Sequence, residues 1–533
     1  LTRTSSSREK NSAWSPDGES IVFVSDRTGN EQLYVMPAGG GAWRQLTDDT
    51  FGMILPPVWS PDSNWILFGD KFMRLNLLEV KTGALKVIDQ GEYDDAWERW
   101  GIIDYVWSPD SRWVAYTKNT GNMHEIITLY DRETGTLTQV TDTMFSSWSP
   151  SFDPGGKYLW FLSNRSFEPI MGRVDQNHVF LSCARPYLVL LQDGVRSPFD
   201  PAADDDQDPK IEHDGEDGDG AVVVVDVDGI RGRIVVAAGV EAGNWFRLEA
   251  VEDGCLMLRR NEPIFIKYQN VNDRATADDL TLFAFTIGND EPEELGDGVN
   301  NYHLSADGSR IVIRRDSEYV VGDVGKALEK NGNKIDLDDV RIRVDRDQEY
   351  RQIFNEAWRV QRDWFYDKNM HREDWEAVRA KYERFLPWCG HRDDLRYLIG
   401  EMISELNIGH TYVAGGDYQG GGSRIGTGLL GCDFAWDPDG GGYRVTRMLP
   451  GWEWSERLVS PLAAPGVGIR EGDVLTAIDG VALSATVSPL AALVDKAGKV
   501  VELEFSSGDI VKVETLSSER ALRYREWVEA NRV

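Results

Sequence analysis

Short runs of alternating apolar residues recur along the first two-thirds of the chain, and most of them follow a tight-turn motif. The clearest copies are Trp14-Ser15-Pro16-Asp17-Gly18, Trp59-Ser60-Pro61-Asp62-Ser63, Trp107-Ser108-Pro109-Asp110-Ser111 and the weaker Phe152-Asp153-Pro154-Gly155-Gly156. Pro presets φ and Gly accepts a positive φ, so each motif predicts a turn, and the β-branched and aromatic run behind it predicts a strand. The copies begin at positions 14, 59, 107 and 152, so they are 45, 48 and 45 residues apart.

A period of about 40–50 residues with several strands in each unit is typical of β-propeller blades. Weaker echoes occur at Asp253-Gly254 and Asp307-Gly308. The degenerate stretch from 165 to 300 leaves room for about two more blades, so that counting predicts a seven-bladed β-propeller over residues 1–344. A β-sandwich with chance turns is the alternative, but four copies share both the turn and its flanking residues. An Asp/Gly-rich stretch at 200–220 predicts a solvated loop inserted into a blade.

The hydrophobic period becomes helical after the repeats, which predicts a small α-helical domain over residues 345–415. Its first helix carries the stripe Ile353, Ala357, Val360 and Trp364, which Phe354 and Trp358 widen. The last helix carries an apolar face from Leu395 to Leu406, with Asp393 or Asp394 as its cap and Gly409 as its stop. His410 follows at once, at a sharp change from helix to extended chain.

Residues 424–512 read as a small β domain that begins with Gly426-Thr427-Gly428-Leu429-Leu430-Gly431. This formal G-x-G-x-x-G precedes strand, turn and strand, whereas a dinucleotide fingerprint should open a helix. Together with Gly472-Asp473-Val474-Leu475 and Asp479-Gly480, it resembles PDZ domains, in which such a loop offers backbone N–H groups to a peptide carboxylate. Gly428, Leu429, Leu430 and Gly431 are therefore the candidate substrate-binding residues.

Composition narrows the classes of partner. Lys and Arg number 57 and Asp and Glu 89, so the net charge of −32 argues against nucleic acid. No apolar window is long enough to span a membrane, and four scattered cysteines predict neither disulfides nor a zinc site, which favours the cytoplasm. The chain begins with Leu1 and not with Met, so we expect it to be a piece of something longer. No nucleophile elbow, P-loop or H-E-x-x-H motif is present.

The order of propeller, helical domain and PDZ-like domain resembles the tricorn protease family of serine peptidases. Phe354-Asn355-Glu356-Ala357-Trp358-Arg359 resembles the start of its first core domain, and Glu405-Leu406-Asn407-Ile408-Gly409-His410-Thr411-Tyr412 resembles the segment with its catalytic histidine. The resemblance implies that His410 is the general base, with Gly409 where archaeal members have a serine. It also implies peptide substrates, a hexameric parent, and no cofactor or metal.

The same resemblance places the family's nucleophilic serine in a second core domain, of which residues 513–533 resemble only the opening. We therefore expect this chain to be inactive alone. Two alternatives remain from the sequence. A non-catalytic scaffold would use the propeller and the PDZ-like domain to hold peptides, and a TolB-like envelope protein would use the repeats alone.

Overall fold

A computed structural model of the protein describes residues 2–94, 101–166, 170–171, 178–179, 182–200, 222–260, 280–328, 332–416, 425–451, 458 and 460–532. The chain divides into two compact units, Leu1–Ala414 and Gly415–Val533. The first contains repeated four-stranded sheets followed by helices, and the second contains one larger sheet. The stretch predicted to be a solvated loop lies outside the described residues from residue 201 onward.

Antiparallel four-stranded sheets repeat along the first unit, and in all of them but the fourth the neighbouring strands are consecutive in sequence. The first sheet contains β1 (Glu9–Trp14), β2 (Ser20–Ser25), β3 (Gln32–Pro37) and β4 (Arg44–Gln45). The second contains β5 (Val58–Trp59), β6 (Trp65–Gly69), β7 (Arg74–Glu79) and β8 (Leu85–Gln90). The third contains β9 (Ile102–Trp107), β10 (Trp113–Asn119), β11 (Glu125–Asp131) and β12 (Leu137–Gln139).

The fourth sheet is interrupted by an insertion. It begins with β13 (Ser147–Phe152) and β14 (Tyr158–Ser163), continues after the separate ladder of β15 (Ile170–Met171) and β16 (His178–Val179), and ends with β17 (Arg185–Leu190), a 3-10 turn (Ile230–Arg233) and β18 (Ile234–Val236). The fifth contains β19 (Trp245–Val251), β20 (Gly254–Arg260), β21 (Leu280–Thr286) and β22 (Glu293–Asp297). The sixth contains β23 (Asn301–Leu304), β24 (Arg310–Arg315), β25 (Glu318–Asp323) and β26 (Asn333–Lys334).

The described residues thus form six four-stranded sheets, one fewer than the seven blades counted from the turn spacing. The difference arises in the degenerate stretch, where the count assumed two blades of ordinary length. The fourth sheet alone extends from Ser147 to Val236, because long connections separate β14 from β17 and β17 from β18. The predicted mainly β architecture of repeated four-stranded blades is confirmed, and the count of seven blades stays a prediction.

Each turn motif closes the hairpin between the first two strands of its sheet. In the first sheet the Ser15 Oγ accepts a hydrogen bond from the Ser20 N–H at 2.9 Å, and the Asp17 Oδ1 accepts one from the Glu19 N–H at 2.9 Å. Gly18 has a φ of 73°. The hydrogen bond from the Ser15 hydroxyl, and then that from the Glu19 N–H, hold the pKa of Asp17 below its usual range.

Apolar side chains between successive sheets form the core of the propeller. Buried residues such as Val22 and Trp59 join the first sheet to the second, and similar clusters join each further sheet to the next as far as the sixth. Burial of both faces of a sheet in this way explains why the strand sequences are apolar on both sides, as in Phe23-Val24.

The helical part of the first unit contains α1 (Arg346–Trp364), α2 (Trp375–Glu383) and α3 (Arg392–Ser404), with 3-10 turns at Met370–Arg372 and Leu386–Trp388. Tyr350, Phe354 and Trp358 form the buried face of α1, while Val360 is 46% exposed, so the predicted stripe was displaced around the helix. Two arginines of α1 contact the turn between β2 and β3 of the first sheet. There Arg359 pairs with the buried Asp26, and the Arg362 guanidinium donates to the Asn30 Oδ1 at 2.9 Å.

The second unit is a sheet with two helices. Its elements are β27 (Cys432–Asp437), β28 (Gly442–Met448), β29 (Val474–Ile478), β30 (Val481–Ala482), α4 (Pro489–Ala492), β31 (Val500–Phe505), β32 (Ile510–Glu514) and α5 (Arg520–Arg532). The strand order is β27-β28-β29-β31-β32, with β30 paired to β29. β27 is therefore an edge strand of the described sheet.

Candidate functional site

The helix α3 leads directly to the candidate histidine, and both of its ends differ from the sequence prediction. His391, and neither of the predicted aspartates, is the N-cap: its ring accepts the Asp394 N–H, and the Asp394 carboxylate accepts the backbone N–H of His391 in return. The helix ends at Ser404, and Asn407 takes a left-handed φ of 49° before Gly409 is reached. A short polar side chain tolerates this conformation, which explains why no glycine is needed there.

We call residues 405–413 the histidine segment, and three contacts fix its first half. Glu405 accepts hydrogen bonds from Lys381 and Tyr382 of α2, and these two bonds, that from Lys381 first, lower the pKa of the Glu405 carboxyl. Leu406 is completely buried in the core of the helical part. The Leu406 carbonyl oxygen lies 2.8 Å from the His371 Nδ1, a contact that fits an imidazole N–H donor.

His410 itself is exposed and has a left-handed φ of 63°. Its Nδ1 lies 3.3 Å from the Tyr412 hydroxyl, and the two rings meet edge to face with centroids 6.3 Å apart. Within the described part of the chain, Nε2 has no hydrogen-bond partner. An imidazole held at one nitrogen and open at the other can accept a proton at the open one.

A cavity of about 840 Å³ lies beside the histidine segment. Its wall is formed by the polar face of α3 and by residues on both sides of His410: Asp393, Arg396, Tyr397, Gly400, Glu401, Ile403, Ser404, Asn407, Ile408, Gly409, Thr411 and Val413. The Arg396 guanidinium pairs with Asp393 at 2.6 Å, so the charges at this end of the wall are balanced. The Ser404 hydroxyl donates to the Glu401 carbonyl at 2.7 Å and is not directed at the imidazole.

The second candidate region is the glycine loop, Gly428–Gly431, in the other unit. Two of its glycines are required by packing. A Cβ at Gly428 would lie 2.9 Å from the Thr515 Oγ1, and one at Gly431, where φ is 72°, would lie 2.5 Å from the Ser460 Oγ. The structure therefore gives these glycines a role in close packing, independent of any ligand.

The backbone N–H groups of the glycine loop are largely engaged within the chain. Gly428 donates to the Leu493 carbonyl at 2.8 Å and Leu429 donates to the Leu516 carbonyl at 2.9 Å. The Gly431 N–H donates to the Glu519 Oε1 at 2.8 Å. The Leu430 carbonyl accepts a bond from Leu462 at 3.4 Å, and its side chain is buried.

A groove of about 570 Å³ opens beside the glycine loop, between the edge strand β27 and the helix α4. It is lined by Leu429, Leu430, Cys432, Asp433, Phe434, Tyr443, Ser488, Pro489, Leu490, Leu493, Glu519, Arg520 and Arg523. Most of these side chains are apolar, and Leu490 is 56% exposed. Burial raises the pKa of the Cys432 thiol, so this groove residue is an inert apolar contact and not a nucleophile.

Several residues of these regions were missed from the sequence. His371, which contacts the histidine segment at the Leu406 carbonyl, carries no local motif, and the contact of Tyr412 with the His410 ring could not be predicted from the motif that contains both. Glu519 and Arg523 are four residues apart, a spacing that predicts a helical ion pair but not its contact with Gly431. None of the four cysteines forms a disulfide bond, and the described residues contain no cluster of three or more potential metal ligands.

Taken together, repeated four-stranded blades, a three-helix part and a PDZ-type sheet define a multidomain protein of the propeller–PDZ class. Sequence models of the tricorn protease second beta propeller domain, C1 domain and PDZ domain match residues 1–325, 346–404 and 428–517. The chain belongs to the tricorn protease family. Of the described helices, none combines the length and apolar character needed to cross a membrane.

Named relatives agree with this assignment. Tricorn protease homolog 1 of Streptomyces coelicolor is 32% identical over 96% of this chain and 49% of its own length. A putative tricorn-like protease C-terminal subunit of Sulfurisphaera tokodaii is 30% identical over 97% of this chain and 57% of its own length. A crystal structure of the tricorn protease has the same fold, with a TM-score of 0.85 and 23% identity over 98% of this chain and 50% of that one. The chain thus spans about half the length of these relatives.

Proposed function

We propose that this chain is part of a serine peptidase that degrades oligopeptides, with His410 as its general base. The observation that carries the proposal is the imidazole itself, exposed beside a large cavity, contacted at Nδ1 by Tyr412 and open at Nε2. The names of the relatives, which are proteases, supply the reaction class.

In the proposed step, a serine hydroxyl transfers its proton to the His410 Nε2 as its oxygen attacks the peptide carbonyl carbon. The protonated imidazole then delivers that proton to the leaving amine, and water completes the cycle in the same way. Tyr412 is the candidate for orienting the ring, because its hydroxyl lies within reach of Nδ1. The fixed first half of the histidine segment limits how far the ring can be displaced.

The nucleophile is proposed to come from a domain other than those described above. Among the described residues no serine hydroxyl is bonded to the His410 ring, and the nearby Ser404 already bonds to a backbone carbonyl. A second core domain, as the family resemblance implies, would supply the serine, the oxyanion donors and the residue that orients the base.

The other domains are proposed to handle the substrate. The groove beside Gly428, Leu429, Leu430 and Gly431 would bind an extended peptide by strand addition to β27, because that strand has one unpaired edge in the described sheet. The propeller would admit unfolded peptides. A cytoplasmic location, a homohexameric parent and the absence of nucleic-acid partners, cofactors and metals complete the proposal.

The proposal is tested by assaying fluorogenic peptides with this chain and with the complete gene product. We expect background hydrolysis by the chain alone and turnover by the complete product. Turnover by the chain that disappears in His410→Ala would show instead that one of its own serines is the nucleophile. If the complete product binds peptides but hydrolyses none, the protein is a peptide-binding scaffold.

A further inference from the structure

The glycine loop already holds a carboxylate, and that carboxylate belongs to the chain. The Glu519 Oε1 accepts the Gly431 N–H at 2.8 Å, while its Oε2 accepts the Arg523 Nε at 2.8 Å. The Glu519 residue is only 7% exposed. A backbone N–H from a glycine loop together with a guanidinium is the donor set that a peptide C-terminus would need.

We propose that Glu519 determines the specificity of the groove by occupying its carboxylate position, so that the groove binds internal segments of extended chains and excludes free C-termini. The proposal rests on the proposed function of the groove as a peptide site. The inference specifies which kind of peptide enters the groove. The resemblance to PDZ domains alone does not specify this.

The surroundings favour retention of Glu519 over exchange with a ligand. The Arg523 guanidinium also contacts the Asp433 Oδ1 at 2.9 Å, so this cation is shared between two carboxylates. A third carboxylate would have to displace the Glu519 carboxylate, which is 7% exposed, from the Gly431 N–H and from the half-exposed Arg523, and the nearly buried Glu519 charge would then lose its partners. Without displacement it would face the negative charges of Glu519 and Asp433 at short range.

What remains available to a ligand is the edge of β27 and the apolar wall of the groove. Leu429, Phe434 and Leu490 offer apolar contacts, and the strand edge offers backbone hydrogen bonds at a two-residue period. An extended segment with apolar side chains at alternate positions fits this pattern. Such a segment can continue beyond both ends of the groove, because it needs no terminal charge at the glycine loop.

The test compares one set of short peptides in two forms, with a free C-terminal carboxylate and with a C-terminal amide. The peptides carry apolar residues at alternate positions, and binding to this chain is measured by fluorescence polarisation. We expect the wild type to bind the amide form at least as tightly as the free acid. Glu519→Ala should raise the affinity for the free acid relative to the amide about ten- to a hundred-fold, since hydrogen bonds to a charged group are formed.

Two further variants control the measurement. Glu519→Gln keeps an oxygen for the Gly431 N–H and should stay close to the wild-type selectivity. Leu490→Lys, at an exposed position of the wall, should weaken both peptide forms alike. Circular dichroism checks folding, and if Glu519→Ala is unfolded, the wild-type comparison of the two forms still decides.

A wild-type preference for the free acid, or an unchanged selectivity in a folded Glu519→Ala, would overturn the inference and leave the groove as a peptide site. If Leu490→Lys changes the affinity for neither peptide form, the groove is not the peptide site. The proposed function of the groove would then be overturned, and the inference with it.

Discussion

The histidine segment and the glycine loop are the two candidate functional regions, and they differ in how far their polar atoms are satisfied. His410 presents a ring with one nitrogen unpartnered among the described residues, on a segment whose backbone is fixed by buried contacts. The glycine loop is built to approach a ligand closely, yet three of its N–H groups are engaged inside the chain. A loop that resembles a ligand-binding site can thus have its N–H donors occupied by groups of the same chain, because buried polar groups are almost always hydrogen-bonded.

The largest expected effect tests the histidine segment, whose imidazole is open at Nε2. In the complete gene product, His410→Ala should lower kcat on the order of 10⁴-fold or more, because the serine loses its base. His124→Ala is the matched control, since His124 is a half-buried histidine of the propeller whose ring is hydrogen-bonded only to the Thr143 carbonyl among the described residues. Steady-state hydrolysis of a fluorogenic peptide measures both, and equal losses in the two variants would contradict the role of His410.

The fixed half of the histidine segment should show its effect in stability. Leu406→Ala removes a completely buried side chain and should lower the free energy of unfolding by about 2–5 kcal/mol. Ile408→Ala, two residues on and 36% exposed, should cost much less because little apolar surface is lost. Urea unfolding followed by circular dichroism compares the two variants. Similar costs would mean that the segment is not held by Leu406.

The stability of the glycine loop should be sensitive to added side-chain volume. Gly431→Ala and Gly480→Ala both place a Cβ at nearly the same backbone angle, with φ values of 72° and 75°. Only the first meets a neighbouring atom within 4 Å, the Ser460 Oγ at 2.5 Å. Both should pay about 1–2 kcal/mol for the left-handed backbone, and Gly431→Ala about 1–3 kcal/mol more for overpacking. Chemical denaturation measures the free energy of unfolding of the two variants. Equal losses in the two variants would show that the glycine loop can move to accommodate the added Cβ.

The smallest expected effect concerns the pH dependence of stability, and it compares two carboxyl groups of the propeller that differ in how far their environment satisfies them. The surrounding protein raises the pKa of Asp104 by desolvation although the residue keeps solvent contact, and the Ser149 N–H, the Thr117 hydroxyl and the charge of Arg247 oppose this shift. Hydrogen bonds instead lower the pKa of Asp17. A raised folded-state pKa means that stability is lost as pH rises through the interval above the ordinary value near 3.8. A lowered one means that stability is lost as pH falls below that value.

Asp104→Asn should therefore be more stable than the wild type at pH 7, with the difference vanishing near pH 3. Asp17→Asn should be less stable at pH 7, and that difference should also close in acid. Thermal unfolding at several pH values measures both variants. If both substitutions change the stability in the same direction at neutral pH, the environments assigned to Asp104 and Asp17 are contradicted.

The repeated blades were predictable because their turn chemistry is local. Ser15, Asp17 and Gly18 close a hairpin by bonds within six residues, so the motif carries its structure with it. The strand positions in the fourth sheet were not predictable, because the long connections from β14 to β17 and from β17 to β18 have no period. The helix faces were found, but the N-cap His391 was not, since histidine is uncommon at that position.

The candidate site was predictable only where a short motif carries it. His410 and the glycine loop stand out in the sequence, and the tricorn resemblance gives them roles. The contacts that decide whether these regions are open come from residues distant in sequence: His371 meets Leu406, and Glu519 meets Gly431. Such pairings depend on tertiary packing, which neither periodicity nor spacing encodes.

The central claim, that His410 is the base of a serine peptidase, is tested most directly by a peptide chloromethyl ketone. Such a reagent binds as a substrate and alkylates an imidazole nitrogen beside the reacting carbonyl. The complete gene product is treated with it, and the alkylated residue is located by mass spectrometry as turnover is lost. The account predicts alkylation of His410 at Nε2 in step with the loss of turnover. Complete inactivation with His410 unmodified and another histidine alkylated would contradict it.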